Sequence, residues 1–182
     1  AALKAGEGDT VLIAGMGGIL TEAILNRGRD VLSAVQELVL QPQSEIAKVR
    51  AFLLEEGFFI MDEQMIYEDG KYYPMMKALP PGKTYVEGAA RDGQGPWDEV
   101  QLRYGKLLLE NRHPVLKELL ERDLSLSKRI LQGLPVDGGE RVEKRRAELS
   151  VELGYVREGL AYYENGYWTD GFAPMKTREL ET

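Results

Sequence analysis

Two short apolar runs stand near the start of the chain, residues 10–14 (Thr-Val-Leu-Ile-Ala) and 37–41 (Glu-Leu-Val-Leu-Gln). Runs of this length bounded by turn residues read as strands buried on both faces, as in parallel sheets. After the first, Ile19, Ala23 and Ile24 recur at helical spacing, and Gly28 is placed to stop that helix. Pro42 is expected to halt the second strand. Ile46, Val49, Phe52 and Leu53 then share one face of a helix over 44–56, with Ser44 as its cap and Gly57 as its end. Strand–helix–strand–helix is the rhythm of an open α/β sheet. Two β-rich runs follow, 58–68 and 71–78, joined by Asp69-Gly70, a type I′ hairpin signal. The sheet is therefore expected to end in an antiparallel hairpin.

Beyond residue 80 the pattern changes. Residues 80–98 carry three prolines and several glycines and read as a loop or linker. Leu116, Leu120, Leu124, Leu131 and Leu134 then mark one stripe of a helix over 112–134. After a turn at 135–139, Val142, Leu149, Leu153, Val156, Leu160 and Tyr163 form a heptad-like seam. The two helices predict an antiparallel, coiled-coil-like hairpin. The expected organisation is a partial α/β sheet over 1–80, a linker and helix start over 81–111, the helical hairpin over 112–165 and a loose tail over 166–182.

Composition narrows the chemistry. Of 182 residues, 43% are hydrophobic and 29% charged, the balance of an ordinary globular protein. No apolar run approaches the roughly 20 residues needed to span a bilayer, and residues 1–6 have no signal-peptide apolar region. With no cysteine, disulfides and thiolate zinc sites are excluded and no metal is expected. A reducing, cytoplasmic setting fits. A net charge of −7 argues against a nucleic-acid surface spread over the whole chain, though not against a local basic patch. His113 is the only histidine and precedes Pro114, the place of a capping residue rather than a base.

Gly15-Met16-Gly17-Gly18 sits between a strand and a helix, where open α/β sheets bind ligands. A dinucleotide fingerprint fails there, because Leu20 occupies the third glycine position and Gln41 stands where a ribose-binding acid belongs. Glycines that merely permit a tight turn, and a loop that receives a target base, both remain open on spacing alone. Three motifs bear on the choice: residues 9–18 (Asp-Thr-Val-Leu-Ile-Ala-Gly-Met-Gly-Gly), residues 38–43 (Leu-Val-Leu-Gln-Pro-Gln), and Asp62-Glu63 followed by residues 68–73 (Glu-Asp-Gly-Lys-Tyr-Tyr). In this order they resemble the bacterial tRNA (adenine(22)-N(1))-methyltransferases, well over residues 3–79 and by pattern alone over 100–165.

The resemblance implies a Rossmann-like class I methyltransferase sheet, S-adenosylmethionine as cofactor and tRNA as partner. It places Ala14, Gly15 and Met16 at the cofactor, and Gly17, Gly18, Gln41, Pro42 and Gln43 at the flipped base. No catalytic residue is assigned. The family's glycine-rich cofactor loop and ribose-binding acid do not occur in this sequence, so the chain alone is expected to hold the cofactor weakly or not at all. Pro74 is a further departure, since it falls in a strand that the family inserts within the sheet, and a bulge or strand start is expected there.

Lys128, Arg129, Arg141, Lys144, Arg145 and Arg146 cluster near the turn between the two long helices. Contact with RNA phosphates and a merely solvated face, with Glu140, Glu143 and Glu148 interspersed, both fit. Tyr72, Tyr73, Tyr162, Tyr163, Tyr167 and Trp168 offer either base stacking or packing. The alternative to the enzyme reading is a non-catalytic assembly or RNA-binding fragment acting through the helical hairpin. Exposed sheet edges would then favour a homo-oligomer.

Overall fold

The computed structural model describes residues 4–83, 95–135 and 137–164. Strand β1 (Thr10–Gly17) leads through helices α1 (Gly18–Arg27) and α2 (Arg29–Leu32) to β2 (Glu37–Ser44), and then to α3 (Ile46–Glu55). The hairpin β3 (Phe59–Glu68) and β4 (Lys71–Leu79) follows. The sheet order is β1-β2-β4-β3, with β1 and β2 parallel and β4 inserted antiparallel between β2 and β3. Asp69 and Gly70 both take positive φ, 49° and 78°, as a type I′ turn requires. The α/β class and the terminal hairpin thus follow the sequence reading.

Several local expectations are corrected. Pro42 does not halt β2; the strand runs on to Ser44, and Pro42 pairs with Met16 of β1. Its missing N–H falls beyond the last β2–β4 pair, Leu40↔Met76, so β2 continues beside β1 alone. Ser44 is not the cap of α3. Glu45, at φ 52°, holds that position without a side-chain bond, and Ser44 Oγ instead accepts from Gly18 N at 3.4 Å. Pro74 lies inside β4 opposite Met65, at neither a bulge nor a strand start.

Nor are the parallel strands buried on both faces. Val11, Ile13, Leu38, Leu40 and Met76 point to one face, where α1 and α3 cover the core, whereas Leu12 on the other face is 68% exposed and its neighbour Ile13 only 6%. Among the described residues the helices that touch the sheet lie on one side, so the outward residues of an apolar run stay open.

The expected linker contains two short helices, α4 (Glu99–Tyr104) and α5 (Lys106–Glu110). Asp98 caps α4 in a reciprocal box with Gln101, whose backbone N lies 2.8 Å from Asp98 Oδ1. Residues 84–94 lie outside the described residues, as does the tail after Glu164. Helices α6 (Pro114–Gly133) and α7 (Gly139–Glu164) form the expected hairpin. Leu116, Leu120, Leu149, Leu153 and Val156 are buried along its seam, and the stripe loosens towards Leu131 and Val142, which are half-buried. A second core joins this hairpin to β3 through Met65, Tyr104, Leu108 and Leu109.

One buried ion pair ties the two cores together. Arg50 of α3 and Glu63 of β3 are 1% and 0% exposed and meet at 2.7 Å. Arg50 Nη1 donates to the carbonyls of Leu102 and Arg103 at 2.9 and 3.0 Å, and Leu107 N donates to Glu63 Oε2 at 3.0 Å. Gly105 lies over the pair at φ 95°, where a Cβ would stand 2.8 Å from both carboxylate oxygens. Only glycine fits that backbone so close to the charges.

Candidate functional site

Because β1 and β2 run parallel, their carboxyl ends lie side by side at one rim of the sheet, where open α/β sheets place their ligands. The rim is irregular there: the β1–β2 register shifts on both sides of Met16. Gly15 turns at φ 75°, and its N–H donates to Gln41 Oε1 at 3.0 Å. Ala14, Gly15 and Met16 are exposed, Met16 by 37%. The turn is thus open to solvent and not sealed beneath helices.

Its glycines serve different ends. A Cβ on Gly17 would lie 3.0 Å from Ser44 Oγ, and one on Gly18 would lie 2.8 Å from Ser44 O and 2.9 Å from Glu45 Cβ. Gly18 is buried and begins α1, so it lets the helix pack closely on the end of β2, and it offers no open surface for the substrate contact expected of it. Gly17 is half-buried, and its carbonyl accepts from Thr21 Oγ1 at 3.1 Å, which anchors the start of α1. Of the second strand's residues, Gln41 is half-buried and bonded to the turn, Pro42 is buried, and Gln43 is exposed. Gln43 Nε2 lies 3.9 Å from where a Gly15 Cβ would be. The structure therefore brings together Ala14–Gly17 and Gln41–Gln43 in one place.

A cleft of about 360 Å³ adjoins them. Gln41, Pro42, Gln43 and Ile46 form one wall, and Lys71, Tyr72, Tyr73 and Pro74 the other. The sequence reading offered Tyr72 and Tyr73 for stacking or packing but did not set them, or Lys71 and Pro74, beside Gln41–Gln43, because β4 lies some thirty residues downstream. Neither the turn nor the cleft carries a serine, a cysteine or a histidine. Among the described residues no cluster of acidic and histidine side chains is arranged to hold a metal. The chemistry on offer is shape, main-chain amides and carbonyls, two side-chain amides and aromatic faces. Ala14, Gly15 and Met16, the residues expected at S-adenosylmethionine, are exposed at the rim and carry no charged side chain that would oppose a sulfonium. Gln41, standing where an acid would clamp ribose hydroxyls, does not supply that clamp.

The perturbed groups lie elsewhere. Burial pushes the Tyr104 hydroxyl up to about 12 and raises Tyr163 further, and burial also raises Glu110. Burial lowers His113 below the ordinary imidazole value, with Asp62 opposing weakly. Tyr104 and Tyr163 belong to the second core, and Glu110 and His113 stand at the end of α5 and the start of α6 beside it. Tyr163 donates to the His113 carbonyl at 2.9 Å, and Gln101 Nε2 donates to Tyr162 Oη at 3.4 Å. Those two tyrosines are packed rather than presented for stacking. Tyr72 lies against Tyr67, with ring centres 4.6 Å apart, and Arg122 sits 4.7 Å above it. Tyr167 and Trp168 lie outside the described residues.

The basic cluster occupies the far end of the helical hairpin. Thirteen residues separate Leu116, in the second core, from Arg129, about 20 Å at the α-helical rise of ~1.5 Å per residue. Lys128, Arg129, Arg141, Lys144 and Arg145 are exposed, and Arg146 is half-buried. Arg145 reaches Glu148 at 3.2 Å, and Arg146 donates to the Pro135 carbonyl at 3.2 Å. Part of this positive charge is therefore already engaged, and the hairpin tip does not meet the glycine turn.

Comparison with known proteins places these features in context. The sequence profile of the tRNA (adenine(22)-N(1))-methyltransferase family matches residues 1–158. The tRNA (adenine(22)-N(1))-methyltransferase of Bacillus subtilis strain 168 is 35% identical over 106 residues, covering 58% of this chain and 40% of that protein. The crystal structure of the B. subtilis M1A22 tRNA methyltransferase TrmK superposes with a TM-score of 0.67 at 27% identity, over 87% of this chain and 65% of that one. An uncharacterized protein of Listeria monocytogenes serotype 4b superposes at 0.70 with 25% identity, over 84% of this chain and 63% of that one. The chain thus spans about 40% of the length of the curated relative and under two thirds of these solved chains.

Proposed function

The chain belongs to the tRNA (adenine(22)-N(1))-methyltransferase family, and we propose that it provides the base-receiving side of adenine N1 methylation in tRNA. The observation that carries this reading is the open glycine turn at the strand rim, with Gly15 N–H fixed by Gln41 and Met16 exposed. Adenine N1 lies on the pairing edge, so the base must leave its stack before anything can reach it. Its in-plane lone pair is already nucleophilic, and positioning replaces side-chain activation. A rim without histidine or cysteine is suited to that task. Main-chain groups of residues 14–17 approach the base edge closely because 15 and 17 lack side chains. Gln41 holds the turn in place, while Gln43 borders the base.

S-adenosylmethionine supplies the methyl group when bound, with Ala14, Gly15 and Met16 forming the wall nearest the acceptor. Lys128, Arg129, Arg141, Lys144, Arg145 and Arg146 contact phosphates of the folded tRNA at a distance from the base. Hydrogen–deuterium exchange with and without tRNA tests the reading. Protection at 14–17 and 41–43 is expected; protection confined to 128–146 would leave only an RNA-binding hairpin. The open sheet face around Leu12, with β1 at the sheet edge among the described residues, favours association with a further covering element or a second copy. A clean monomer by light scattering would count against self-association.

A further inference from the structure

Two prolines split the sheet beside the glycine turn. The β2–β4 pairs are Leu38↔Ala78, Val39↔Lys77 and Leu40↔Met76, and extending that register by two residues sets Pro42 opposite Pro74. In the two-residue hairpin, Glu68 and Lys71 form a hydrogen-bonded pair, and alternation along the ladder makes Met65↔Pro74 a non-bonded one. The backbone nitrogen of Pro74 thus faces β2, at a pair that would need an N–H from each strand. Neither residue has one. The ladder stops, and the strands part into the 360 Å³ cleft.

The two walls are chemically complementary to a nucleotide. Pro42, Pro74 and Ile46 give apolar surface, and Tyr72 and Tyr73 give aromatic surface. Gln41 and Gln43 bring side-chain amides able to meet a base edge, and Lys71, exposed beside the hairpin turn, brings an ammonium. The volume falls within the roughly 300–1,000 Å³ of small-ligand pockets. Gln41 also accepts from Gly15, and Gln43 Nε2 lies 3.9 Å from where a Gly15 Cβ would stand, so the cleft adjoins the turn. Tyr72 is braced by Tyr67 and Arg122, which leaves Tyr73 as the less committed ring.

We infer that the proline-split cleft between β2 and β4 is a subsite for a nucleotide neighbouring the target adenine, with Tyr73 stacking its base and Lys71 meeting its phosphate. This rests on the proposed function, since it needs an RNA strand at the glycine turn. It locates a determinant of sequence context apart from the turn itself. The occupant is single-stranded, because a paired base exposes neither face to a tyrosine ring.

Fluorescence-anisotropy titration of an unmodified tRNA transcript by the full chain tests it. Tyr73→Ala is expected to weaken binding roughly tenfold, the loss of one base–aromatic stack, and Tyr73→Phe to restore it. Lys71→Ala should weaken binding and lower the slope of log affinity against log salt by about one. Pro42→Val with Pro74→Val restores both donors, so the ladder should extend, fill the cleft and weaken binding while raising the unfolding midpoint. If Tyr73→Ala and Lys71→Ala both bind within twofold of wild type while Gly15→Val binds poorly, the subsite is overturned and the base-receiving turn stands. If the wild-type chain does not bind the transcript, both readings fall.

Discussion

Replacing Glu63 by Ala should be one of the costliest single truncations of a charged side chain among the described residues. The carboxylate is fully buried, accepts from Arg50 Nε at 2.7 Å and from Leu107 N at 3.0 Å, and opposes a guanidinium that is itself 1% exposed. Removing one member of such a pair strands the other charge in a dry site, at a cost of about 3–5 kcal/mol. The orphaned Leu107 amide adds about 1–3 kcal/mol unless water reaches it. Together these approach the whole stability of an ordinary domain, roughly 5–15 kcal/mol. The pair also joins α3 and β3 to the carbonyls of Leu102 and Arg103, so its loss should uncouple the helical hairpin from the sheet. Urea unfolding followed by far-ultraviolet circular dichroism and tyrosine fluorescence should give one transition for the wild type and two non-coincident ones for the variant. The double variant Arg50→Met with Glu63→Met should recover much of the loss, because no bare charge remains. Lys77→Ala, which breaks the more exposed pair with Glu37, should cost about 1 kcal/mol or less. A Glu63→Ala chain within 1 kcal/mol of wild type by the same titration would refute the reasoning.

Gly105→Ala should destabilise by about 2–5 kcal/mol, from backbone strain at φ 95° and from a Cβ driven against the ion pair. Gly154→Ala, in open space inside α7, should instead stabilise by about 1 kcal/mol, and thermal melts of the two variants check both signs. His113 is held below its unfolded value by burial, so its contribution is complete above about pH 6.5 and is lost as pH falls towards the lowered folded value. The urea midpoint should therefore drop between pH 7.5 and 5.5, and His113→Asn should remove that part of the drop. Exchanging Arg141, Lys144, Arg145 and Arg146 together for Ala should weaken tRNA binding and flatten its salt dependence. Unchanged binding would assign the cluster to a solvated face.

Features written in local chemistry were readable from the sequence. Asp69-Gly70 predicts its hairpin because few other residue pairs accept two positive φ angles, and the leucine seam predicts two long helices because their burial follows the 3.6-residue period. The glycine turn was legible for the same reason. Features that depend on distant partners were not. Nothing near Arg50 announces that its charge will be met by Glu63 and by carbonyls fifty residues away. Pro42 looked like a strand end because proline's effect depends on whether a neighbour needs its N–H, and that neighbour, β4, lies more than thirty residues on. Leu12 looked buried because an apolar run does not reveal which face the helices will cover. The cleft joined two prolines that each seemed a local irregularity, and only the sheet register set them opposite one another.

The turn at residues 14–17, with 41–43 beside it, is proposed to receive an unstacked adenine. A tRNA transcript carrying a photoreactive adenine at the family's target position, irradiated with this chain and mapped by peptide mass spectrometry, tests it most directly. Cross-links in the peptides that contain Met16 and Gln43 are predicted. Cross-links found only on α6 and α7, or unchanged when the photoreactive base is moved into a paired stem, would contradict the account.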